Sequence, residues 1–318
     1  MTRHLEQADS RSDTSTRKAD GGGAVSAPTA AAGRKVNRID TKTRFGPNDQ
    51  VDDRAVLIAP NRPALTDPFL LLSEDWFSSP GFEWHPHRGL ETVTTVLDGV
   101  LEHGDNAGNV GALAAGDVQW MTAGRGIIHR ELAYRNEHAH TLQLWVNLPR
   151  SKRMTDTRYQ DLLAASRPQI EQPGSRFDII SGTVGGVSGP ALNNWPITGM
   201  IATVEPGRQA DVVLPGEDRA FAYVLSGVTK IAGRTVRAGQ IAWSDPVKGT
   251  ATSTLPLQAA DGDTPAVVMI YSGRPIGESI VMGGPFVMNT NQEIQDAFRD
   301  FHSGKFGQIP RQARLKYR

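Results

Sequence analysis

Two short sequence segments occur twice in this chain, in the same order, and this repeat limits the folds open to it. TTVLDG (94–99) resembles AYVLSG (222–227), and LAAGDVQW (113–120) resembles VRAGQIAW (236–243), with offsets of 128 and 123 residues. Such a long period excludes a short-period solenoid and indicates a duplicated unit of roughly 75–110 residues. A chain of 318 residues has room for two such units.

Both units have the alternating pattern of half-buried strands. Leu142, Leu144 and Val146 alternate with polar and aromatic residues, and Asp98-Gly99 interrupts a similar stretch as a hairpin turn. The apolar runs are short, and the chain carries 33 Gly and 20 Pro. These features predict an all-β architecture of short strands joined by turns.

Composition excludes several kinds of partner and site. The 34 basic and 34 acidic residues balance, which argues against direct nucleic-acid binding. The chain has no cysteine, so a metal must be held by histidine and carboxylate. No apolar run approaches the roughly 20 residues of a membrane span. The absence of disulfides fits a cytoplasmic protein, so we expect a cytoplasmic location and no membrane partner.

The chain divides into five expected parts. Residues 1–35 carry six Lys/Arg, four Asp/Glu and few large apolar side chains, which predicts a disordered tail. The spacing of Tyr159, Leu162 and Leu163 predicts a short helix over 155–165. Thr290 and Glu293 form a capping-box pattern ahead of a second helix. After the tail we expect an N-terminal barrel (36–150), a linker with the short helix (151–198), a C-terminal barrel (199–290), and a C-terminal helix and tail (291–318).

Two pairs of residues indicate a metal site in the first unit. His85 and His87 are two residues apart, as are His129 and Glu131. Residues two apart on a strand point to the same side, so each pair can aim two side chains at one point. Three imidazoles and a carboxylate suit a divalent transition metal and leave positions open for oxygen or substrate.

Other residues compete for these roles. Glu91 has the same parity as His87 and is the rival carboxylate, either as a ligand or as an acceptor for a ligand imidazole N–H. We expect His103 in a loop and His138 and His140 in solvent. Aromatic or apolar residues that flank the ligands belong to the barrel core, although one or two of them could form the wall of a pocket for a flat aromatic ligand: Phe82, Trp84, Trp120 and Met121.

The second unit lacks these ligands. Carried along the repeat, His85 and His87 fall on Val213 and Pro215, while His129 and Glu131 fall near Thr252 and Thr254. No histidine occurs between residues 141 and 301. The duplication therefore predicts one metal site and one copy without metal.

Four segments resemble signature segments of the pirin family: HPHRGLETVTTVLDG (85–99), GDVQWMTAGRGIIHRE (116–131), LQLWVNLP (142–149) and GPFVMNT (284–290). The resemblance spans about residues 37–310. It implies a bicupin, with two antiparallel jelly-roll barrels face to face and a short C-terminal helix that packs back across them. It also implies that the metal ligands are His85, His87, His129 and Glu131, which favours Glu131 over Glu91.

The resemblance also suggests functions. Pirins are associated with iron and related divalent metals, so we expect one such ion, Fe(II) first, with Ni, Mn, Co, Cu or Zn as alternatives. Some pirins oxidise quercetin-type flavonols with dioxygen, and here Glu131 would act as the catalytic base on a flat aromatic substrate. Others are redox-responsive regulators that bind a transcription factor or metabolic enzyme, so a protein partner is the alternative. We expect a monomer.

Overall fold

The computed structural model describes residues 32–78 and 81–309, and strands dominate this part of the chain. Residues 1–31 of the tail expected over 1–35, and residues 310–318, lie outside the described residues. No helix in the described ranges is long and apolar enough to cross a membrane.

The strands of the first half are β1 (Ala32–Gly33), β2 (Arg38–Thr41), β3 (Thr43–Arg44), β4 (Asp53–Ile58), β5 (Phe69–Phe77), β6 (Phe82–His87), β7 (Leu90–Asp105), β8 (Val110–Ala114), β9 (Val118–Thr122), β10 (Ile127–Ala133), β11 (Ala139–Asn147) and β12 (Arg158–Leu162). The strands of the second half are β13 (Gln169–Gln172), β14 (Ser175–Ser181), β15 (Thr183–Val184), β16 (Val187–Ser188), β17 (Ile197–Val204), β18 (Gln209–Pro215), β19 (Arg219–Ser226), β20 (Val228–Ile231), β21 (Arg234–Arg237), β22 (Gln240–Ser244), β23 (Thr252–Ala259), β24 (Ala266–Gly273), β25 (Val281–Gly283) and β26 (Phe286–Met288). The α-helices are α1 (Pro63–Thr66) and α2 (Asn291–His302), and 3-10 turns lie at Tyr134–Asn136, Arg150–Lys152 and Ala164–Ser166.

The first barrel is a ten-stranded sheet made of β3 to β12. Strand β7 is 16 residues long and belongs to both halves of the barrel. Its first half pairs with β9 and β11, and its second half pairs with β8 and β10. A single long strand therefore joins the wall that faces the second barrel to the wall that carries β10.

The second barrel has two sheets with an aliphatic core between them. Its seven-stranded sheet has the order β13-β14-β17-β24-β19-β22-β2, and β1, β18, β20, β21 and β23 form the other sheet. The order β22-β19-β24-β17-β14 repeats the order β9-β7-β11-β5-β4 of the first barrel. The repeated sequence segments lie in equivalent strands, which supports the duplication.

The two barrels pack face to face through alternate residues of their central strands. Leu142, Leu144 and Val146 of β11 lie in one apolar cluster with Phe221 and Tyr271 of the second barrel. The alternation then turns the odd-numbered residues of β11 into the first barrel, where Gln143 and Trp145 line a cavity. The all-β bicupin prediction is confirmed.

Three local predictions are wrong. Asp98-Gly99 is not a hairpin turn, because β7 runs through both residues from Leu90 to Asp105. Residues 155–165 do not form a helix: β12 pairs with β9, and only a three-residue 3-10 turn follows it. The apolar spacing was compatible with either structure, and pairing with a distant strand decided it. The tail also ends earlier than residue 35, because β1 pairs with β23 and Arg34 is 3% exposed. The guanidinium of Arg34 donates to the carbonyl oxygens of Pro215 and Asp218.

Helix α2 begins at the predicted capping box. The Thr290 side chain accepts from the Glu293 N–H, and the Glu293 side chain accepts from the Thr290 N–H. Ile294 and Ala297 then pack with Phe286 of β26 and Ile128 of β10. The C-terminal segment therefore packs back onto the first barrel, beside the strand that carries His129.

Candidate metal centre

Strands β6 and β10 are antiparallel neighbours, and their register brings three histidines together. His129 lies opposite His85, and His87 is two residues further along β6. The ring centroids are 4.2 Å apart for His85 and His129, 4.9 Å for His87 and His129, and 5.0 Å for His85 and His87. One ring nitrogen from each histidine lies within 4.8 Å of the other two, so the cluster could hold a metal ion.

Hydrogen bonds to the Nδ1 atoms leave the Nε2 atoms available. His85 Nδ1 lies 2.7 Å from the carbonyl oxygen of Glu83, and His87 Nδ1 lies 3.0 Å from that of Pro285. His129 Nδ1 lies 2.9 Å from His103 Nε2. The Nε2 atoms of His87 and His129 are buried and have no hydrogen-bond partner among the described residues. Buried polar atoms without partners are costly, so this donor set fits a metal ion.

Burial keeps these rings in the neutral form that binds metals. Desolvation, with a smaller contribution from His85, lowers the pKa of His87 and of His103 to about 3. Desolvation and the neighbouring histidines hold the pKa of His129 well below its usual range. Desolvation also lowers the pKa of His85. Imidazole nitrogens without protons are therefore available throughout the neutral range.

Glu131 lies beside the histidines but is not a member of the three-residue cluster. The register of β10 on β6 shifts between His129 and Glu131, so Glu131 lies opposite Phe82. Its carboxylate accepts hydrogen bonds from Thr94 Oγ1 and Gln143 Nε2. Desolvation, opposed by these hydrogen bonds, raises the pKa of Glu131 to about 7. Its roles as fourth ligand and as base stay predictions.

Glu91 fills neither of the roles considered for it. It is fully buried and accepts hydrogen bonds from Trp120 Nε1, Thr122 Oγ1 and Asn194 Nδ2. The partners of the Nδ1 atoms in the histidine cluster are instead two backbone carbonyls and His103. Glu91 therefore belongs to a polar network away from the histidine cluster.

Two of the other histidines, His103 and His140, differ from their expected environments. His103 is not in a loop: it lies in β7, is fully buried and contacts His129. His138 is exposed as expected, with an ion pair to Asp98. His140 is only partly exposed, because it stacks on Trp76 and bonds Glu74. His103 was missed because Gly104 suggested a turn one residue too early.

A cavity of about 430 Å³ opens beside the histidine cluster. Among the flanking residues named above, Phe82 lines this cavity, whereas Trp120 belongs to the core between the barrels. Trp145, which the sequence did not single out, lines the cavity and lies edge-on to His87 at 5.1 Å. The complete lining is Gln50, Arg54, Val56, Leu71, Ser73, Asp75, Phe82, His85, His87, Glu131, Gln143, Trp145 and Pro285. A pocket of this size can hold a small aromatic molecule.

Comparisons with known proteins identify the family. Residues 49–146 match the family described as Pirin, and residues 200–307 match the Pirin C-terminal cupin domain. Pirin-like protein 2 of Arabidopsis thaliana is 39% identical over 278 residues, which is 86% of each chain. Pirin of Rattus norvegicus is 38% identical and covers 76% of this chain and 84% of its own. The crystal structure of a quercetin 2,3-dioxygenase from Acinetobacter baumannii is 30% identical, with a TM-score of 0.77, over 88% of this chain and all of the other. The chain belongs to the pirin family.

Proposed function

We propose that this protein is a metal-dependent dioxygenase that cleaves a flavonol of the quercetin type. The main support is the cluster of His85, His87 and His129, in which the buried Nε2 atoms of His87 and His129 have no hydrogen-bond partner among the described residues. His85 and His87 of this cluster line a cavity of about 430 Å³. The likeness to a quercetin 2,3-dioxygenase of Acinetobacter baumannii supports the same reaction. The products would be carbon monoxide and a depside, which together contain all atoms of the flavonol and dioxygen.

A divalent metal on the three histidines, Fe(II) in our proposal, would supply the Lewis-acid and redox chemistry that dioxygen requires. The residues of the chain would bind and orient the flavonol. Trp145 and Phe82 provide apolar walls for a flat ring system. Glu131 is held by Thr94 and Gln143 at the cavity wall, where it would accept the proton of the flavonol 3-hydroxyl.

Turnover of protein loaded with one defined metal tests the proposal. With quercetin we expect dioxygen uptake, carbon monoxide release and loss of near-visible absorbance, all above the rate of free-metal oxidation. The variant Glu131→Gln should lower kcat more than flavonol binding, because it keeps the shape but loses the base. Restoration of the variant by excess metal would assign Glu131 a ligand role only. Absence of turnover across several metals and flavonols would contradict the proposal.

One observation favours a second function, that of a metal-dependent regulator with a protein partner. His87 bonds the carbonyl oxygen of Pro285, and the chain continues from there through β26 into α2 on the surface. Metal bound by His87 would therefore stabilise a segment that a partner can contact. Hydrogen exchange of residues 281–306 with and without metal tests this link. Equal exchange in the two states would remove the support for a regulator.

A further inference from the structure

Arg54 is a charged residue in the wall of the cavity that the proposed metal chemistry does not use. It lies on β4, and its side chain is 28% exposed. It lines the same cavity as His85, His87 and Glu131. A positively charged guanidinium in the wall is a strong determinant of what such a cavity binds.

Two contacts hold the guanidinium of Arg54 in place. Its Nε donates to Asp75 Oδ1 at 2.6 Å, and its central carbon lies 5.3 Å from the centroid of Phe82. Asp75 is 1% exposed, and its second oxygen accepts from Ser73 Oγ at 2.8 Å. Asp75 therefore restricts the Arg54 side chain, and Ser73 restricts Asp75. Because Arg54 is already held in place, less conformational entropy is lost when a ligand binds.

The outer edge of the guanidinium has no such contacts. Asp75 accepts a hydrogen bond from Nε of Arg54 and from no other atom of the guanidinium. Nη1 and Nη2 have no hydrogen-bond partner among the described residues. Two parallel N–H groups on one planar edge match the two oxygens of a carboxylate, or one phenolate oxygen. Nη1 and Nη2 of Arg54 can therefore bind an anion.

The neighbouring walls are apolar and aromatic. Phe82, which contacts Arg54, lies 6.3 Å from the ring of His85, so the arginine and the histidine cluster are adjacent to the same aromatic ring. Trp145, Leu71 and Val56 add apolar surface to a lining that also contains the polar side chains of Gln50, Ser73, Asp75, Glu131 and Gln143. A ligand with a flat apolar body and an anionic oxygen can contact the aromatic wall and the guanidinium of Arg54 together.

We propose that the cavity selects aromatic ligands that carry an oxygen anion, either carboxylate or phenolate, and that Arg54 binds this anion. This specificity rests on the proposed function only in that the ligand is the substrate of the same site. In a flavonol the anion would be a ring substituent separate from the reacting 3-hydroxyl group. Arg54 is then a specificity-determining residue, and Asp75 is the positioning residue that holds it.

Ligand binding without turnover tests this selectivity. Zinc-loaded protein, in which the metal has no redox chemistry, would be titrated with 3-hydroxyflavone, its 4′-carboxylate and the methyl ester of that carboxylate, with tryptophan fluorescence as the signal. Wild-type protein should bind the carboxylate about 10-fold or more tightly than the ester, as expected for hydrogen bonds to a charged group. Arg54→Met should abolish this preference, and Arg54→Lys should keep part of it. Arg44→Met is the matched control, because Arg44 is an exposed arginine of β3 outside the cavity.

Each outcome is decisive for the inference and separate from the turnover test. Equal binding of the carboxylate and the ester by wild-type protein would overturn the inference even if no variant folds. Equal loss of affinity for all three ligands in Arg54→Met would also overturn it, because Arg54 would then only shape the cavity. A carboxylate preference that depends on Arg54, in a protein that does not oxidise flavonols, would uphold the inference and contradict the dioxygenase proposal.

Discussion

The two barrels share a strand order but differ in what fills them. The first barrel directs His85, His87 and His129 at one point and keeps a cavity beside them. At comparable positions the second barrel directs Val212 and Leu214 of β18 into a continuous aliphatic core. A close-packed interior can contain an aliphatic core, which fills the space, or a histidine cluster, whose polar atoms must find partners. The residues on β6 and β10 of the first barrel, and on β18 of the second, therefore account for the different interiors of the two barrels.

The comparison also corrects the expected correspondence between the two units. The offset of 128 carries His85 and His87 to Val213 and Pro215, but both of these point outward, and Val213 is 42% exposed. Because side chains alternate, a shift of one residue exchanges the two faces of a strand. The inward-facing positions of β18 are therefore Val212 and Leu214, and the offset of 128 fails in this strand.

The largest effect should come from His87→Ala. Loss of one of three ligands should weaken metal binding by more than about 100-fold, since loss of an outer hydrogen-bond partner alone costs about 10–100-fold. His138→Ala is the control, because His138 is exposed and pairs only with Asp98. Metal content and competition with a chelator are the measurements. Equal loss in both variants would show that the site is elsewhere.

In the second barrel, Leu214→Ala should act on stability alone. Leu214 is 1% exposed, so the cavity left by truncation should lower the free energy of unfolding by about 2–4 kcal/mol. Val213→Ala, one residue away on the outer face, should change it by less than about 0.5 kcal/mol. Urea unfolding monitors both, and metal content should stay at the wild-type level. A loss of metal in Leu214→Ala would mean that the barrels do not divide these roles.

Replacement of His103 should have an intermediate effect on the metal affinity of the first barrel. For His129 to use Nε2 as a ligand, its Nδ1 must carry the proton and donate to His103 Nε2. His103→Leu removes this acceptor and should lower metal affinity by about 10–100-fold. His103→Gln keeps an acceptor oxygen and should recover most of the affinity. If both variants lose the same affinity, His103 contributes packing rather than a hydrogen bond.

The smallest effect concerns a buried acid of the second barrel and depends on pH. Desolvation, opposed by the Ser272 hydroxyl and by Arg34, raises the pKa of Asp218 to about 6. Since the unfolded value is about 3.9, the folded state favours the protonated acid, and this contribution to stability is lost as pH rises from about 4 to 6. Asp218→Asn cannot ionise, so it should gain about 1–2 kcal/mol relative to wild type at pH 8 and little at pH 4.5. Urea unfolding at the two pH values gives the comparison, and a constant difference would contradict it.

The sequence predicted those parts of the site that depend on local geometry. Because side chains alternate along a strand, the sequence predicted that His85 and His87 point to the same side. The same rule predicted the direction of His129. The role of His103 could not be seen, because His103-Gly104-Asp105 resembles the start of a turn. In the structure β7 continues through Asp105, whose side chain then accepts from the N–H groups of Ala107 and Asn109 in the turn itself.

Contacts between distant residues account for what the sequence did not reveal. Arg34 looks like part of a polar tail, yet the atoms that bind its guanidinium belong to residues 181–211 positions later. Residues 158–162 have apolar spacing compatible with a helix, and their pairing with β9 makes them a strand. Pattern analysis identifies which residues are buried together on one element, but it does not identify the distant partner.

The bond between His87 and Pro285 has a consequence for how the protein is made. The two residues are 198 positions apart, although all three histidines of the cluster lie between residues 85 and 129. A chain emerging from the ribosome exposes the three histidines long before the carbonyl group that orients one of them. The site that we propose to bind metal is therefore complete only after synthesis of nearly the whole polypeptide, and a metal captured earlier would meet an incompletely oriented set of histidines.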